Sequence, residues 1–178
     1  MRALIIIDMQ WAVQHRIESG RDHVNPQAPA RIAALVAAFR RQGEPVIHVR
    51  HSDGDPASPF HAAASGYPPM PCAEAVDDEP VFIKRTSSAF ASTGLEAHLR
   101  EAGITDLIVT GAVAGFCVDS TVRAGADLGF RMTVVRDAVI GFDLPGDRLS
   151  ARVIFDVNMA LLGADFARIV ETDAVLSA

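Results

Sequence analysis

Residues 3 to 7, Ala-Leu-Ile-Ile-Ile, form an unbroken apolar run that stops at Asp8. Similar runs recur at Val46 to Val49, Val81-Phe82-Ile83, Leu107 to Thr110, Met132 to Val135 and, more briefly, near Ile169. Their length and β-branched content predict strands. Between them apolar residues repeat with helical spacing. Ile32, Leu35, Val36 and Phe39 share one face of a helix over residues 30 to 42, preceded by Pro26 and Pro29 and stopped by Gly43. Thr93 stands three residues before Glu96, a capping-box arrangement that opens a helix with Leu95 and Leu99 on its buried side and Gly103 as its stop. A helix over 116 to 128 follows the Leu107 strand, and Leu149, Val153, Val157 and Leu161 mark a last long helix. Residues 52 to 79, rich in Gly, Pro, Ser and Ala, read as a long loop, and loops of that length are more often functional or mobile than idle.

Strands that are apolar at every position, rather than at alternate ones, are buried on both faces, which is the habit of parallel sheets covered by helices. The expected fold is therefore an α/β three-layer sandwich. It has a mostly parallel, about six-stranded sheet covered by helices on both faces in a Rossmann-like arrangement of right-handed βαβ units. No repeat, low-complexity tract or linker divides the chain, so a single domain over residues 1–178 is expected.

Composition narrows the function. With 178 residues, 49% hydrophobic and 21% charged, the chain can bury a sizeable core. A net charge of −6 without clustered Lys and Arg argues against a nucleic-acid partner. The apolar opening is far too short to span a bilayer and ends in a carboxylate rather than a cleavage site, so no membrane partner and a cytoplasmic location are expected. Cys72 and Cys117 are not expected to form a disulfide in that setting, and Cys72, in Pro-Pro-Met-Pro-Cys, reads as a loop thiol without a role.

In open α/β sheets ligands collect at the carboxyl ends of the strands. Three reactive groups fall there: Asp8 after Ile7, Lys84 after Ile83, and Cys117 shortly after the Thr110 strand. Each alone has an ordinary explanation. Asp8 caps a following turn, Lys84 is a solvated charge beside Asp77, Asp78 and Glu79, and Cys117 is a small buried hydrophobe. Together they make a chemically sensible set, in which Lys84 and a helix N-terminus lower the Cys117 pKa and Asp8 moves the proton.

The segments Asp8-Met9-Gln10, Lys84 with Ser88-Ala89-Phe90 and Thr93-Gly94-Leu95, Gly111-Ala-Val-Ala-Gly-Phe-Cys117-Val118 with Ser120-Thr121-Val-Arg123-Ala124, and Val134-Val135-Arg136-Asp137-Ala138 resemble the isochorismatase-like cysteine hydrolases. That family includes nicotinamidases, N-carbamoylsarcosine amidases and isochorismatases. The resemblance runs from residue 3 to about 170 and implies roles position by position: Cys117 as nucleophile, Asp8 as general base, and Lys84 as the cation that favours the thiolate. It also implies a cis peptide at Ala112–Val113, with the N–H groups of Val113 and Cys117 forming an oxyanion hole. The implied reaction is hydrolysis of a small-molecule amide through a thioester, releasing ammonia or an amine. Isochorismatase-type vinyl ether hydrolysis is the alternative. Gln10, Trp11, Phe90 and Phe116 are candidates for the substrate pocket, with core packing as the competing role for each.

Nicotinamidase-type relatives carry an Asp-x-His metal pair after the second strand, whereas this chain has the reverse order, His51-Ser52-Asp53. His48 and His51 are three apart and point to opposite faces of a strand. His51, Asp53 and His61 form a weaker metal alternative; the expectation is no metal and no cofactor. A nucleotide-binding or scaffold role is a minor alternative, because the spacing of Gly111 and Gly115 is wrong for a nucleotide fingerprint and Val113 blocks close backbone approach. Family members commonly assemble as dimers or tetramers, so a homo-oligomer is expected. The substrate is a small molecule of unspecified identity.

Overall fold

The computed structural model describes residues 1–177. In chain order the elements are β1 (Arg2–Ile7), α1 (Trp11–Glu18), β2 (His23–Val24), α2 (Ala28–Gln42), β3 (Val46–His51), β4 (Val81–Lys84) and α3 (Leu95–Glu101). They continue with β5 (Asp106–Ala112), a π-helical turn (Ala114–Val118), α4 (Asp119–Asp127), β6 (Arg131–Phe142), α5 (Ala151–Asp165), β7 (Ala167–Val170) and α6 (Thr172–Leu176). The sheet has seven strands in the order β2-β6-β5-β1-β3-β4, with β7 also pairing with β6. Every pairing is parallel except that of β2 with β6.

β1 shows why its sequence is apolar throughout. Ala3, Ile5 and Ile7 pack into one core with Leu95 and Leu99 of α3, Val122 of α4 and Phe155, Met159 and Leu162 of α5. Leu4 and Ile6 pack into a second core with Val13 of α1, Ile32, Leu35, Val36 and Phe39 of α2, and Val175 of α6. A strand alternates its side chains between faces, so two covered faces require apolar residues at every position. Full burial of each Ile or Leu contributes about 1.5–3 kcal/mol relative to exposure. The three-layer α/β sandwich read from the sequence is the fold observed.

The details differ in instructive ways. The seventh strand, β2, has two residues and pairs antiparallel at the far end of β6, too short to leave a periodic signal. The capping box does not form: Gly94 occupies the N-cap of α3, Thr93 Oγ1 accepts from the Leu95 N–H at 3.1 Å, and Glu96 receives Arg100 at 2.8 Å instead. The last long helix exists, but Leu149, Val153, Val157 and Leu161 are 43–54% exposed. Its buried face carries Ala151, Phe155, Asn158, Met159 and Leu162. A helix apolar on two sides does not tell which side is inward, and the side with Phe155 and the small Ala151 packs more closely.

One glycine shapes the site. Gly111 lies beside Ile7 in the β1–β5 register, with φ of +117°, and an added Cβ would come within 2.1 Å of the Ile7 carbonyl oxygen. Only glycine tolerates that backbone and that approach. The β5–β6 register shifts at this point, and the chain leaves the sheet through a cis Ala112–Val113 peptide.

Candidate active site

Asp8, Lys84 and Cys117 meet at the carboxyl edge of the sheet. Asp8 follows β1 with a left-handed φ of +50°, and its N–H donates to the Val49 carbonyl at 2.9 Å. Lys84 ends β4, two strands away from β1 across β3. Neighbouring strands stand about 4.8 Å apart, so a group on β4 needs a long side chain to reach β1. Lys84 is the only lysine in the chain, and it is 0% exposed. Its Nζ lies 2.7 Å from Asp8 Oδ2, 3.1 Å from Cys117 Sγ, 3.1 Å from the Thr86 carbonyl and 3.2 Å from His51 Nδ1. An ammonium has three hydrogens for these four acceptors, so the group is fully committed. Asp8 Oδ1, by contrast, is buried with no hydrogen-bond partner among the described residues.

The protonation pattern follows from burial. Burial raises the Asp8 pKa above its ordinary value, outweighing the Lys84 ammonium that draws it down. Burial, followed by the neighbouring Asp8 carboxylate, pushes the Cys117 thiol up to about 12, although Lys84 pulls the other way. This corrects the sequence expectation of a lowered thiol pKa. Cys117 sits in the π-helical turn ahead of α4 rather than in the first turn of a regular helix, and desolvation outweighs the favourable charge. Cys117 is therefore held as a thiol at rest. His51 is pushed down by burial and by Lys84, and as a neutral ring its Nδ1 can accept from the ammonium.

These groups open on a cavity of about 360 Å³ whose lining includes Asp8, His51, Val113 and Cys117. Val13 and Arg16 of α1, Phe60 of the long loop, Ser87, Ala112 and Phe116 complete the wall. The Val113 N–H has no hydrogen-bond partner among the described residues.

Of the four pocket candidates, only Phe116 lines the cavity, and it is 52% exposed. Gln10 is a buried clamp: its Nε2 donates to the carbonyls of His51 at 3.0 Å and Tyr67 at 2.7 Å, and its Oε1 accepts from the His51 N–H at 2.8 Å. Trp11 lies outside the lining, against the ring of His15, and Phe90 stacks on Phe130 in the core. Of the lining residues that sequence reasoning missed, Phe60 and Ser87 lie outside the helices and strands, and Val13 and Arg16 lie on a helix with only Ala12 and Val13 buried, a pattern too thin to read.

The residues of the metal alternative are not assembled into a site. His51 Nδ1 faces the Lys84 ammonium, His61 Nδ1 accepts from the Ala63 N–H at 3.2 Å, and Asp53 Oδ1 accepts from the Asp55 N–H at 3.0 Å. No group of three or more His, Cys, Asp and Glu side chains suited to a metal occurs among the described residues. Cys72 is a free, half-buried thiol, pushed up to about 11 by burial. No helix of the described residues is long and apolar enough to cross a membrane.

The family model described as an isochorismatase domain matches residues 2–168. The chain is 30% identical to the uncharacterized isochorismatase family protein YrdC of Bacillus subtilis over 179 residues, covering 99% of this chain and 95% of the relative. It is 36% identical to N-carbamoylsarcosine amidase of an Arthrobacter species over 100 residues, covering 56% of this chain and 35% of that one. The crystal structure of an isochorismatase-family protein from Chromobacterium violaceum superposes with a TM-score of 0.92 at 34% identity, covering 99% of this chain and 92% of that one.

Proposed function

The chain belongs to the isochorismatase family of hydrolases, and from that premise we propose that it hydrolyses a small-molecule amide with Cys117 as nucleophile, Asp8 as proton carrier and Lys84 as the organising cation. The observation that carries the reading is the placement of Lys84 Nζ 2.7 Å from the carboxylate and 3.1 Å from the sulfur, at the edge of a cavity. The similarity to N-carbamoylsarcosine amidase supports amide chemistry.

The protonation pattern specifies how the steps run. A thiol pushed up to about 12 is not a preformed thiolate, so its proton leaves as the sulfur attacks. The acceptor is Asp8 Oδ1, which has no other partner and whose raised basicity suits it to the task. The C–S bond forms, and charge develops on the carbonyl oxygen within reach of the free Val113 N–H. Asp8 then returns the proton to the nitrogen as the C–N bond breaks, releasing ammonia or an amine and leaving a thioester. Water, deprotonated by Asp8, cleaves the thioester and restores the thiol. Lys84 fixes the carboxylate and stabilises negative charge on sulfur during transfer.

Ammonia release from a panel of small primary amides and N-carbamoyl compounds tests the reading. The wild-type protein should turn over at least one of them, and Cys117→Ala and Asp8→Asn should not. Full retained activity in either variant would overturn it.

A further inference from the structure

The cavity holds a charge that the hydrolytic chemistry does not use. Arg16 lines the same wall as Cys117, and its guanidinium has no carboxylate within 4.0 Å and no hydrogen-bond acceptor among the described residues. Arg41, Arg85, Arg148 and Arg168 are likewise unpaired, but they are exposed. Arg50 is unpaired and half-buried, yet it lines no part of this cavity. Arg16 is thus the one unpaired, half-buried guanidinium described that faces the sulfur's cavity.

Its surroundings hold it in place without neutralising it. The guanidinium carbon lies 5.3 Å from the ring centroid of Phe142. The acid next in the chain, Asp143, is already taken by Arg21, whose Nε donates to it at 2.6 Å. Arg21 adds like charge nearby, and burial acts against the Arg16 charge as well. A guanidinium does not shed its proton in a protein, so the charge remains and calls for an anion. The other cavity charges do not pair with it: Asp8 has its ion pair with Lys84 and none with Arg16 within 4.0 Å, and His51 is pushed toward the neutral ring.

We infer that the substrate carries an anionic group, a carboxylate, which Arg16 receives in a forked hydrogen-bonded pair while the amide carbon meets Cys117. This deepens the amide-hydrolase reading and rests on it for the bond cleaved, but not for the charge recognised. Arg16 is then a specificity-determining residue, and its planar fork suits a carboxylate better than a lysine would.

Two alkylating agents test the charge without any amide chemistry. Iodoacetate and iodoacetamide differ in charge, and each forms an S–C bond at Cys117 as iodide leaves. Both are applied to the full chain at pH 9 and low salt, and alkylation is followed by mass spectrometry of the Cys117 and Cys72 peptides. The ratio of iodoacetate to iodoacetamide rates at Cys117 should fall about tenfold in Arg16→Gln and further in Arg16→Glu, while Arg16→Lys keeps most of it. Cys72, outside the cavity, should show the same ratio in all variants and reports that they remain folded. A Cys117 ratio unchanged within twofold in both Arg16→Gln and Arg16→Glu overturns the inference.

A second arm uses succinamate and its methyl ester as a charged and a neutral amide. The KM for succinamate should rise about tenfold in Arg16→Gln at nearly constant kcat, and the ester should respond little. If neither amide is cleaved by any variant while the alkylation ratio still follows residue 16, the choice of reaction fails and the anion inference stands. If amides are cleaved without regard to charge or to Arg16, the inference fails and the reaction stands.

Discussion

Strand β3 carries two histidines three residues apart, and each belongs to an ionic cluster of opposite character. His48, 1% exposed, meets Glu79 through Nε2 at 2.8 Å. Arg40 donates to both Glu79 oxygens at 2.8 Å, and the Val76 N–H adds a further bond at 3.1 Å. Burial alone would raise the Glu79 pKa, but these partners outweigh it and drive it from 4.5 to about 2. His51 belongs to the other cluster, where Asp8 has one oxygen on Lys84 and the other unserved, and burial wins. A saturated carboxylate is a fastening. An under-served one, beside a thiol and a cavity, has capacity left to take a proton.

The largest expected effects separate the two clusters by activity. Asp8→Asn and Cys117→Ala should each lower ammonia release by about 10⁴-fold or more, since nucleophile and base act as one unit. Glu79→Gln should leave kcat within a few-fold. Comparable losses from Asp8→Asn and Glu79→Gln would erase the distinction.

Lys84→Met comes next. Without its cation the Asp8 carboxylate is buried unpaired, and its pKa climbs further rather than tolerating the charge. The pH profile of kcat/KM should then lose its lower range. In the wild-type protein the acid limb already lies above an ordinary aspartate value, because the base must be ionised and its folded pKa is raised. In Lys84→Met that limb should move to higher pH, with activity reduced about 10²-fold.

Stability sharpens the contrast from the other side. Glu79→Ala should cost about 2–3 kcal/mol at pH 7, measured by urea unfolding, mainly because it leaves the buried Nε2 of His48 unpaired, while the solvent-screened Arg40 arm adds little. The pKa of Glu79 is lower folded than unfolded, so its stabilisation is present above pH 4.5 and is lost as pH falls from there toward 2. His48 is pushed down by burial, so protonation of the unfolded chain erodes stability as pH falls below the ordinary imidazole value. The gap between wild type and Glu79→Ala should therefore narrow on acidification below pH 4.5. The smallest effect is expected at Gln10: Gln10→Leu removes three buried hydrogen bonds and should cost about 2 kcal/mol, with little change in KM.

How far these features were legible follows from their physics. Asp8 and Lys84 end unbroken apolar runs, and Cys117 follows another at the same sheet edge, so topology alone collects all three. The long helix was legible as a helix but not in orientation, since Val153, Val157 and Leu161 are as apolar as Phe155, Met159 and Leu162 on the buried side. Arg16 was invisible because its helix shows almost no apolar stripe, and nothing local marks a cation as unpaired. The Thr93–Glu96 spacing misled because Arg100, four residues on, claims the glutamate. The charge state of Cys117 was beyond reach as well. A thiol near the start of a helix suggests a thiolate, and only burial together with the proximity of Asp8 reverses that.

That reversal gives the most direct measurement, and it needs no substrate. Thiolate absorbance near 240 nm, titrated as the difference between wild type and Cys117→Ala, isolates the Cys117 sulfur from Cys72. The account predicts no step below about pH 9, in line with a thiol pushed up to about 12, and a step displaced to lower pH in Asp8→Asn. A thiolate already formed at pH 7 in the wild-type protein, or a titration indifferent to Asp8, would contradict a resting thiol that hands its proton to Asp8.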